Sequence, residues 1–461
     1  MESEKRIFGT NGVRGIFGKD FEFNLIINLS YSLATFFKSG RILLGRDVRL
    51  SSPIISRLVS SVINSAGLDV WDAGIIPTPC LQFATKKYEY AGGLMITASH
   101  NPPEYNGIKP IASDGVELSR DDELKVEEIF SKKNYDRMDG CGVLSQENNI
   151  VNPYIETVLS LINADNIRRR KFKVIMDLGN GVQGTVAPFL LQRLGCQVIT
   201  INGEMDGTFP GRGSEPTTNN LSQLSQIVKD LDADLGVAYD GDGDRSIFCD
   251  EMGIAHTGDK VGTLLVRYLL RSRHNGAEIV CPINTTMLLS KVADEEKSKV
   301  TFTKVGSVEV SRQMLAHGSI LGMEENGGFM YGKINVVRDG AMTTALLLEM
   351  LASSETNESL SQMLNKLPKT YQYKTKFECG TNTIANRAVE SCLSYKNPIK
   401  SETIDGAKIW PDNDSWLLVR PSGTEPLLRL YAESMDESRL SSMVHEYSFI
   451  IENVLRETSA D

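Results

Sequence analysis

Three aspartates separated by single glycines, Asp240, Asp242 and Asp244 in the run DGDGDR, follow directly on the apolar segment LGVAY. The alternation turns three carboxylates towards one point, and the glycines let the backbone curl around it. Hard oxygen ligands without His or Cys favour magnesium or calcium over zinc. A calcium-binding EF-hand would need further ligands and a glutamate at its twelfth position. Asp250 and Glu251 lie close by, but the segment IFCDE that carries them reads as a strand. Three carboxylates alone leave coordination positions open, which suits a magnesium ion that also touches a phosphate oxygen.

Three further loops carry chemistry. In TASHNPPEYNGIK, Thr97 to Lys109, a serine leaves the buried strand GGLMI on a path stiffened by Asn101, Pro102, Pro103, Asn106 and Gly107, so Ser99 has little freedom left to lose. A Ser-His hydrolase is disfavoured, because Ser99 and His100 are adjacent and no GxSxG elbow exists. GMEENGG, Gly322 to Gly328, sets acidic and amide groups on glycines, a pattern suited to sugar hydroxyls. RPSGTEP, Arg420 to Pro426, follows the strand WLLVRP. There Arg420 can grip a phosphate bidentately while Ser422, Thr424 and the amides about Gly423 form an anion-binding concavity. A Walker loop is absent. GNGVQG, Gly179 to Gly184, fits the dinucleotide fingerprint with Glu204 about 20 residues on, yet a nicotinamide site would explain none of the other loops.

The elements that must position these loops read as mixed α/β. KFKVIMDL, the glycine run and then TVAPFLLQRLG predict strand, turn and helix, and GAMTTALLLEMLAS predicts a helix after a loop. A chain of 461 residues exceeds one hydrophobic core. Polar, poorly periodic stretches divide it into four units: 1–152 with the serine loop, 153–252 with the aspartate loop, 253–369 with the Glu-Asn-Gly loop, and a smaller 370–461 with the RPSGTEP loop.

Bulk properties exclude several classes. A net charge of −10 with no Lys/Arg-rich run argues against a nucleic-acid or anionic-membrane surface, so an anionic substrate must meet local positive charge. No apolar run approaches the roughly 20 residues of a membrane span. The N-terminus lacks the pattern of a secretory signal, which predicts a cytoplasmic location. Seven scattered cysteines without a CxxC pair suggest neither a disulfide framework nor zinc.

The order and spacing of FGTNGVRG, TASHNPPEYNGIK, DGDGDR, the Glu-Asn-Gly loop and RPSGTEP resemble the α-D-phosphohexomutase family from the first strand to the last domain. That resemblance implies four domains around a central cleft: three similar mixed α/β units and a smaller C-terminal α+β unit. It implies Ser99 as a phosphoserine whose phosphate lies beside a magnesium ion held by Asp240, Asp242 and Asp244. It places Arg14, His100, Lys109 and Arg245 around the transferring group, with Lys109 as general acid/base and His100 as the other candidate. Glu324, Asn326 and Gly327 would face the sugar, and Arg420, Ser422, Gly423 and Thr424 would hold the non-reacting phosphate. The implied reaction moves phosphate between O6 and O1 of a hexose through a hexose 1,6-bisphosphate, in a monomer or homodimer. FGTNGVRG and RPSGTEP look most like the phosphoglucosamine mutase branch, archaeal-type members above all, which points to glucosamine 6-phosphate; mannose and glucose phosphates are the alternative. Bacterial relatives usually carry Ser and His in the sugar loop, where this chain has Asn326 and Gly328. A non-catalytic phosphosugar-binding protein is the reading from another class, against which the intact Ser99 and aspartates speak.

Overall fold

The computed structural model describes residues 6–9, 11–136, 140–422 and 427–457. Its first sheet is built from β1 (Val13–Ile16), β2 (Arg41–Arg46), β3 (Asp69–Ile75), β4 (Gly92–Ile96), β5 (Tyr105–Ala112) and β6 (Leu144–Gln146), in the order β1-β5-β4-β2-β3-β6. β2 and β4 are apolar runs, as strands covered on both faces must be. They pair in parallel, while β5 returns antiparallel to β4.

A second sheet contains β7 (Lys173–Asp177), β8 (Gln197–Ile201), β9 (Leu235–Tyr239) and β10 (Ser246–Cys249), in the order β10-β9-β7-β8. The third contains β11 (Ile279–Pro282), β12 (Val300–Thr303), β13 (Leu321–Met323) and β14 (Phe329–Tyr331), in the order β12-β11-β13-β14. In both, three strands run parallel and the last-formed strand turns back antiparallel at one edge. Strands β2 to β5 repeat that layout inside the first sheet. A repeat that the residues did not reveal is therefore plain in the strand pairing, and it has a consequence for chemistry. The serine, aspartate and Glu-Asn-Gly loops each join the third strand of this pattern to the fourth.

The three units share one core. It runs from Leu43 and Met95 through Tyr154 and Leu190 to Leu265 and Leu346. Helix Gly340–Ala352 lies within it, buried along nearly its whole length. The helix predicted after GNGVQG is shorter than expected: Val182–Thr185 forms a 3₁₀ turn, and the α-helix proper runs only Ala187–Arg193, with a proline in its first turn. Proline fits there because it lacks an N–H that the first turn could not use anyway.

The last sheet is antiparallel: β15 (Tyr371–Glu378), β16 (Lys400–Glu402), β17 (Ala407–Asp412), β18 (Ser415–Pro421) and β19 (Leu427–Ser434), in the order β15-β19-β18-β17-β16. Helices Asn382–Ser394 and Glu437–Glu457 share its core of Leu417, Leu430, Tyr447 and Ile451. This unit is fastened to the third. Buried Glu433 accepts from Thr286 Oγ1 at 2.6 Å and from the Met287 amide at 2.7 Å, capping helix Met287–Glu295 across the boundary. Lys408 Nζ donates to the Ile283 carbonyl at 2.6 Å and lies 3.9 Å from the centre of the Trp416 ring.

Candidate active site

The serine loop is shorter than its sequence suggests. Asn106, Gly107 and Lys109 belong to β5, where Gly107 faces Arg14 and Lys109 faces Met95. The Asn106 amide is committed to Ser51 and Ser52 at 2.8 and 2.9 Å, which fixes the start of the strand rather than the path of the loop. Ser99 itself has φ +50°, a left-handed conformation that a residue with a Cβ adopts only when its surroundings impose it. Those surroundings are an Asp47–Arg49 pair, fully buried and 3.0 Å apart. Arg49 donates to the carbonyls of Ser99 (2.8 Å), Asn101 (2.6 Å) and Tyr105 (2.9 Å). Asp47 accepts from Thr97 Oγ1 at 2.7 Å, and that same oxygen accepts the Ser99 amide at 2.8 Å. The buried Ser99 hydroxyl is thereby aimed at the neighbouring unit, 3.0 Å from Asp240 Oδ2.

Asp240, Asp242 and Asp244 are buried, and one carboxylate oxygen from each lies within 4.8 Å of the others. Gly241 must lack a side chain, because a Cβ there would stand 2.8 Å from the Ser99 carbonyl. Lys109 Nζ reaches Asp242 Oδ2 at 3.1 Å and Asp244 Oδ2 at 3.4 Å, and Thr78 Oγ1 donates to Asp242 Oδ2 at 2.7 Å. Asp242 Oδ1 and Asp244 Oδ1 are buried without a hydrogen-bond partner. Burial, then Asp244 and Asp242, push the Asp240 carboxyl well above its ordinary range. Against the effect of burial, Lys109 and Thr78 hold Asp242 below its own. Three carboxylates in so dry a place cannot all ionise unaided. A hard divalent cation would satisfy the two orphaned oxygens and permit the third charge, so the donor set fits magnesium.

GNGVQG packs behind this loop, with its backbone committed to neighbouring chain. The amides of Gly179, Asn180, Gly181 and Val182 are already taken, by Asp177 Oδ1 and by the carbonyls of Asn202, Leu178 and Gly241, so these four cannot cradle an anion. Gln183 Nε2 donates to the Gly243 carbonyl at 2.9 Å. The glycine run buttresses the aspartates from behind.

Cations ring the serine. Arg14 donates to the Ala98 carbonyl at 3.2 Å and to Asn101 Oδ1 at 2.9 Å. Arg245 presents its amide to Asp240 Oδ1 at 3.0 Å and its guanidinium to Glu215 Oε1 at 3.0 Å. His100 Nδ1 lies 3.4 Å from Ser99 Oγ, and its ring is held well below its usual basicity by Arg245 and by burial.

The Glu-Asn-Gly loop meets the aspartate loop edge to edge, with the Ser246 amide donating to the Gly327 carbonyl at 3.1 Å. Buried Arg338 spans the two, 2.5 Å from Asp244 Oδ2 and 3.2 Å from Glu324 Oε2. Burial lifts the Glu324 carboxyl above its ordinary value, and Arg338 opposes the shift. Asn326 spends its side-chain oxygen inside the loop, accepting from the Gly328 amide at 3.1 Å. In the fourth unit Arg420 pairs with Asp405 at 2.9 Å, and Asp405 also accepts the Val305 amide of the third unit at 3.0 Å. The Ser422 amide donates to the Leu427 carbonyl at 2.7 Å. Gly423 and Thr424 lie outside the described residues.

Comparison with known proteins agrees with this arrangement. The phosphoglucomutase/phosphomannomutase alpha/beta/alpha domains I, II and III match residues 5–137, 152–253 and 257–371, and the C-terminal domain of that family matches 386–448. The chain belongs to the phosphoglucomutase/phosphomannomutase family. It is a phosphohexomutase, an isomerase of carbohydrate metabolism. A phosphoglucosamine/phosphogalactosamine mutase of Sulfurisphaera tokodaii is 38% identical, across 97% of this chain and 99% of the relative. A phosphoglucomutase/phosphomannomutase of Thermococcus kodakarensis is 39% identical, across 98% and 99%. A crystal structure of a family protein from Burkholderia thailandensis superposes with a TM-score of 0.87 at 25% identity, covering 97% of each chain.

In this phosphohexomutase, sequence reasoning missed Asp47, Arg49, Thr78 and Arg338. The run GRDVR offered a signal, since charges placed directly after the apolar strand RILLG must either face solvent or be paired. Thr78 and Arg338 offered none. Among the described residues no helix is long and apolar enough to cross a membrane, and six of the seven unpaired cysteines are buried.

Proposed function

We propose that this chain interconverts hexose 6-phosphate and hexose 1-phosphate through a phosphorylated Ser99, with glucosamine 6-phosphate to glucosamine 1-phosphate as a reaction it carries out. The observation that carries the reading is the buried Ser99 hydroxyl, 3.0 Å from Asp240 in a carboxylate triad with two unpartnered oxygens. In the first half-reaction phosphorus bonds to a sugar hydroxyl oxygen, the bond to Ser99 Oγ breaks, and the hydroxyl proton passes to Lys109 or His100. The hexose 1,6-bisphosphate turns round, and its other phosphate returns to Ser99 Oγ. Asp240, Asp242 and Asp244, with an oxygen of the phosphoserine, would hold magnesium, which supplies charge neutralisation when bound. Arg14, Lys109 and Arg245 supply the rest, which is how an acidic protein accommodates an anionic substrate. Glu324, Asn326 and Gly327 take the sugar, and Arg420, Ser422, Gly423 and Thr424 the distal phosphate.

The relative from Sulfurisphaera tokodaii supports glucosamine phosphate by its name, and the one from Thermococcus kodakarensis supports glucose and mannose phosphates as the second reading. Intact-mass measurement before and after hexose 1,6-bisphosphate should show one phosphate gained on the peptide containing Ser99. Ser99→Ala should gain none and lose activity by at least ~10³-fold; wild-type turnover in that variant would sink the nucleophile. A protein that turns over glucose or mannose 6-phosphate and leaves glucosamine 6-phosphate untouched would remove the glucosamine assignment.

A further inference from the structure

A segment of the second unit, from Asp206 to Glu215, reaches both loops that make the reactive centre. It is pinned from within its own unit. Arg212 pairs with Asp177 at the end of β7, 2.8 Å away, and donates to the Tyr239 carbonyl at the end of β9 at 2.5 Å, while the Gly211 amide donates to Asn180 Oδ1 at 3.1 Å. Its other side lies against the first unit. A Cβ on Gly207 would stand 2.4 Å from the Val48 carbonyl, and the guanidinium carbon of Arg49 lies 5.0 Å from the centre of the Phe209 ring. Buried Ser214 completes the contact. Its hydroxyl shares one proton between the carbonyls of His100 and Asn101, both at 2.8 Å, and its own carbonyl accepts the Gly241 amide at 2.9 Å. Glu215, next in sequence, holds Arg245 at 3.0 Å.

We propose that Ser214 is a positioning residue for phosphoryl transfer, fixing the separation of Ser99 from the aspartates across the boundary between the first two units. This rests on the mutase reading above and adds a residue to it. Arg14 and Arg49 also hold carbonyls of the serine loop, but both belong to the same unit as Ser99, so they set its conformation and not its distance from Asp240. Lys109 and Thr78 do cross the boundary, and they do so at Asp242 and Asp244, on the metal side. Ser214 ties the serine loop to the aspartate loop through a single residue, whose hydroxyl and carbonyl are separated by one side-chain torsion held in a staggered well. So short a link leaves little play between nucleophile and metal. Transfer needs reacting atoms close and aligned, and a misplacement of around 1 Å costs about a hundredfold. Ser214 touches neither substrate nor the reacting atoms, so the division of its effect between kcat and KM is the telling quantity.

The test measures kcat and KM for the full chain and its Ser214→Ala and Thr208→Ala variants with glucosamine, glucose and mannose 6-phosphates, at saturating magnesium and hexose 1,6-bisphosphate. Rates are expressed per chain carrying phosphate on Ser99, counted by intact mass, so that misfolded protein drops out. Thr208 is the control: exposed, it donates to Asp206 Oδ1 at 2.7 Å and so supports the same segment from inside. Ser214→Ala should lower kcat by about ten- to a hundredfold and leave KM within about threefold. Thr208→Ala should stay within about twofold in both. Should Ser214→Ala fail to fold, Phe209→Leu, which loosens the same segment where it meets Arg49, is measured in its place and should lower kcat by about three- to tenfold with KM unmoved. An unchanged kcat, a loss confined to KM, or an equal fall in Thr208→Ala overturns this proposal alone. Absence of wild-type turnover with all three sugars overturns the mutase reading and this proposal with it.

Discussion

The aspartate loop and the Glu-Asn-Gly loop occupy the same place in the same topology, between the third strand of a unit and its antiparallel fourth, yet they satisfy their buried carboxylates to different degrees. Asp242 and Asp244, although paired with Lys109 and Arg338, each keep one buried oxygen without a hydrogen-bond partner, whereas Glu324 and Glu325 are paired with Arg338 and Lys374 and leave no buried oxygen so orphaned. One loop is built unfinished and the other complete. Position in the fold therefore brings a loop to the shared centre, and the partners left to its carboxylates differ from loop to loop.

The most damaging way to break that comparison is to finish the unfinished loop. Asp242→Ala removes an orphaned oxygen and the anchor of both Lys109 and Thr78. Activity should fall by at least ~10³-fold, and the magnesium concentration for half-maximal rate should rise tenfold or more. Steady-state rates across a magnesium titration check this, and an unchanged midpoint would contradict the metal assignment. A smaller effect is expected from disturbing the finished loop. Gly328→Ala drives a Cβ to 2.4 Å from Arg338 Cδ, so the guanidinium must shift from Glu324 or Asp244. KM for the sugar phosphate should rise about tenfold, in line with the cost of misplacing a contact by around 1 Å. A tenfold weaker magnesium midpoint with unchanged KM would show instead that Arg338 serves the aspartates.

This contrast also marks what could be read from residues alone. DGDGDR was legible because its spacing is its geometry: three carboxylates on five consecutive residues can hardly avoid one another. Ser99 was legible as a residue held rigid, although the means of holding it were misjudged. Asn106 and Gly107 turned out to begin a strand, and the restraint comes from Arg49, fifty residues earlier. GNGVQG fitted the dinucleotide fingerprint, which the other loops already spoke against, because glycines spaced for a phosphate are spaced equally well for a second backbone, here that of Gly241. Arg338 was beyond reach. Fourteen residues separate it from Glu324, and it is folded back by the pairing of β13 with β14 together with an antiparallel bridge from Arg338 to Met330. The threefold repeat of strand order was hidden for the same reason, since parallel pairing joins segments that share no local pattern.

Behind the sugar loop a third solution to buried charge appears, and it predicts the mildest effect. Asp339 is 3% exposed and next to Arg338 in sequence, yet its oxygens receive the Tyr154 hydroxyl, at 2.7 and 2.8 Å, and the Met342 amide at 3.0 Å. Neither is a cation, and burial pushes its carboxyl up to about 6. The folded chain thus keeps a proton between pH ~4 and ~6 that the unfolded chain has already released. A raised carboxyl adds its stability below the unfolded value and loses it as pH rises through the folded one, here by about 3 kcal/mol in all. Asp339→Asn keeps the helix cap and cannot ionise. Thermal denaturation in saturating magnesium should therefore show wild type falling relative to the variant as pH rises from 4 to 7, while kcat at pH 7 stays within a few fold. Parallel curves for the two proteins would mean that Asp339 is charged and has found a partner. A metal ion, an arginine and a proton would then no longer be three distinct answers to one electrostatic problem within a single site.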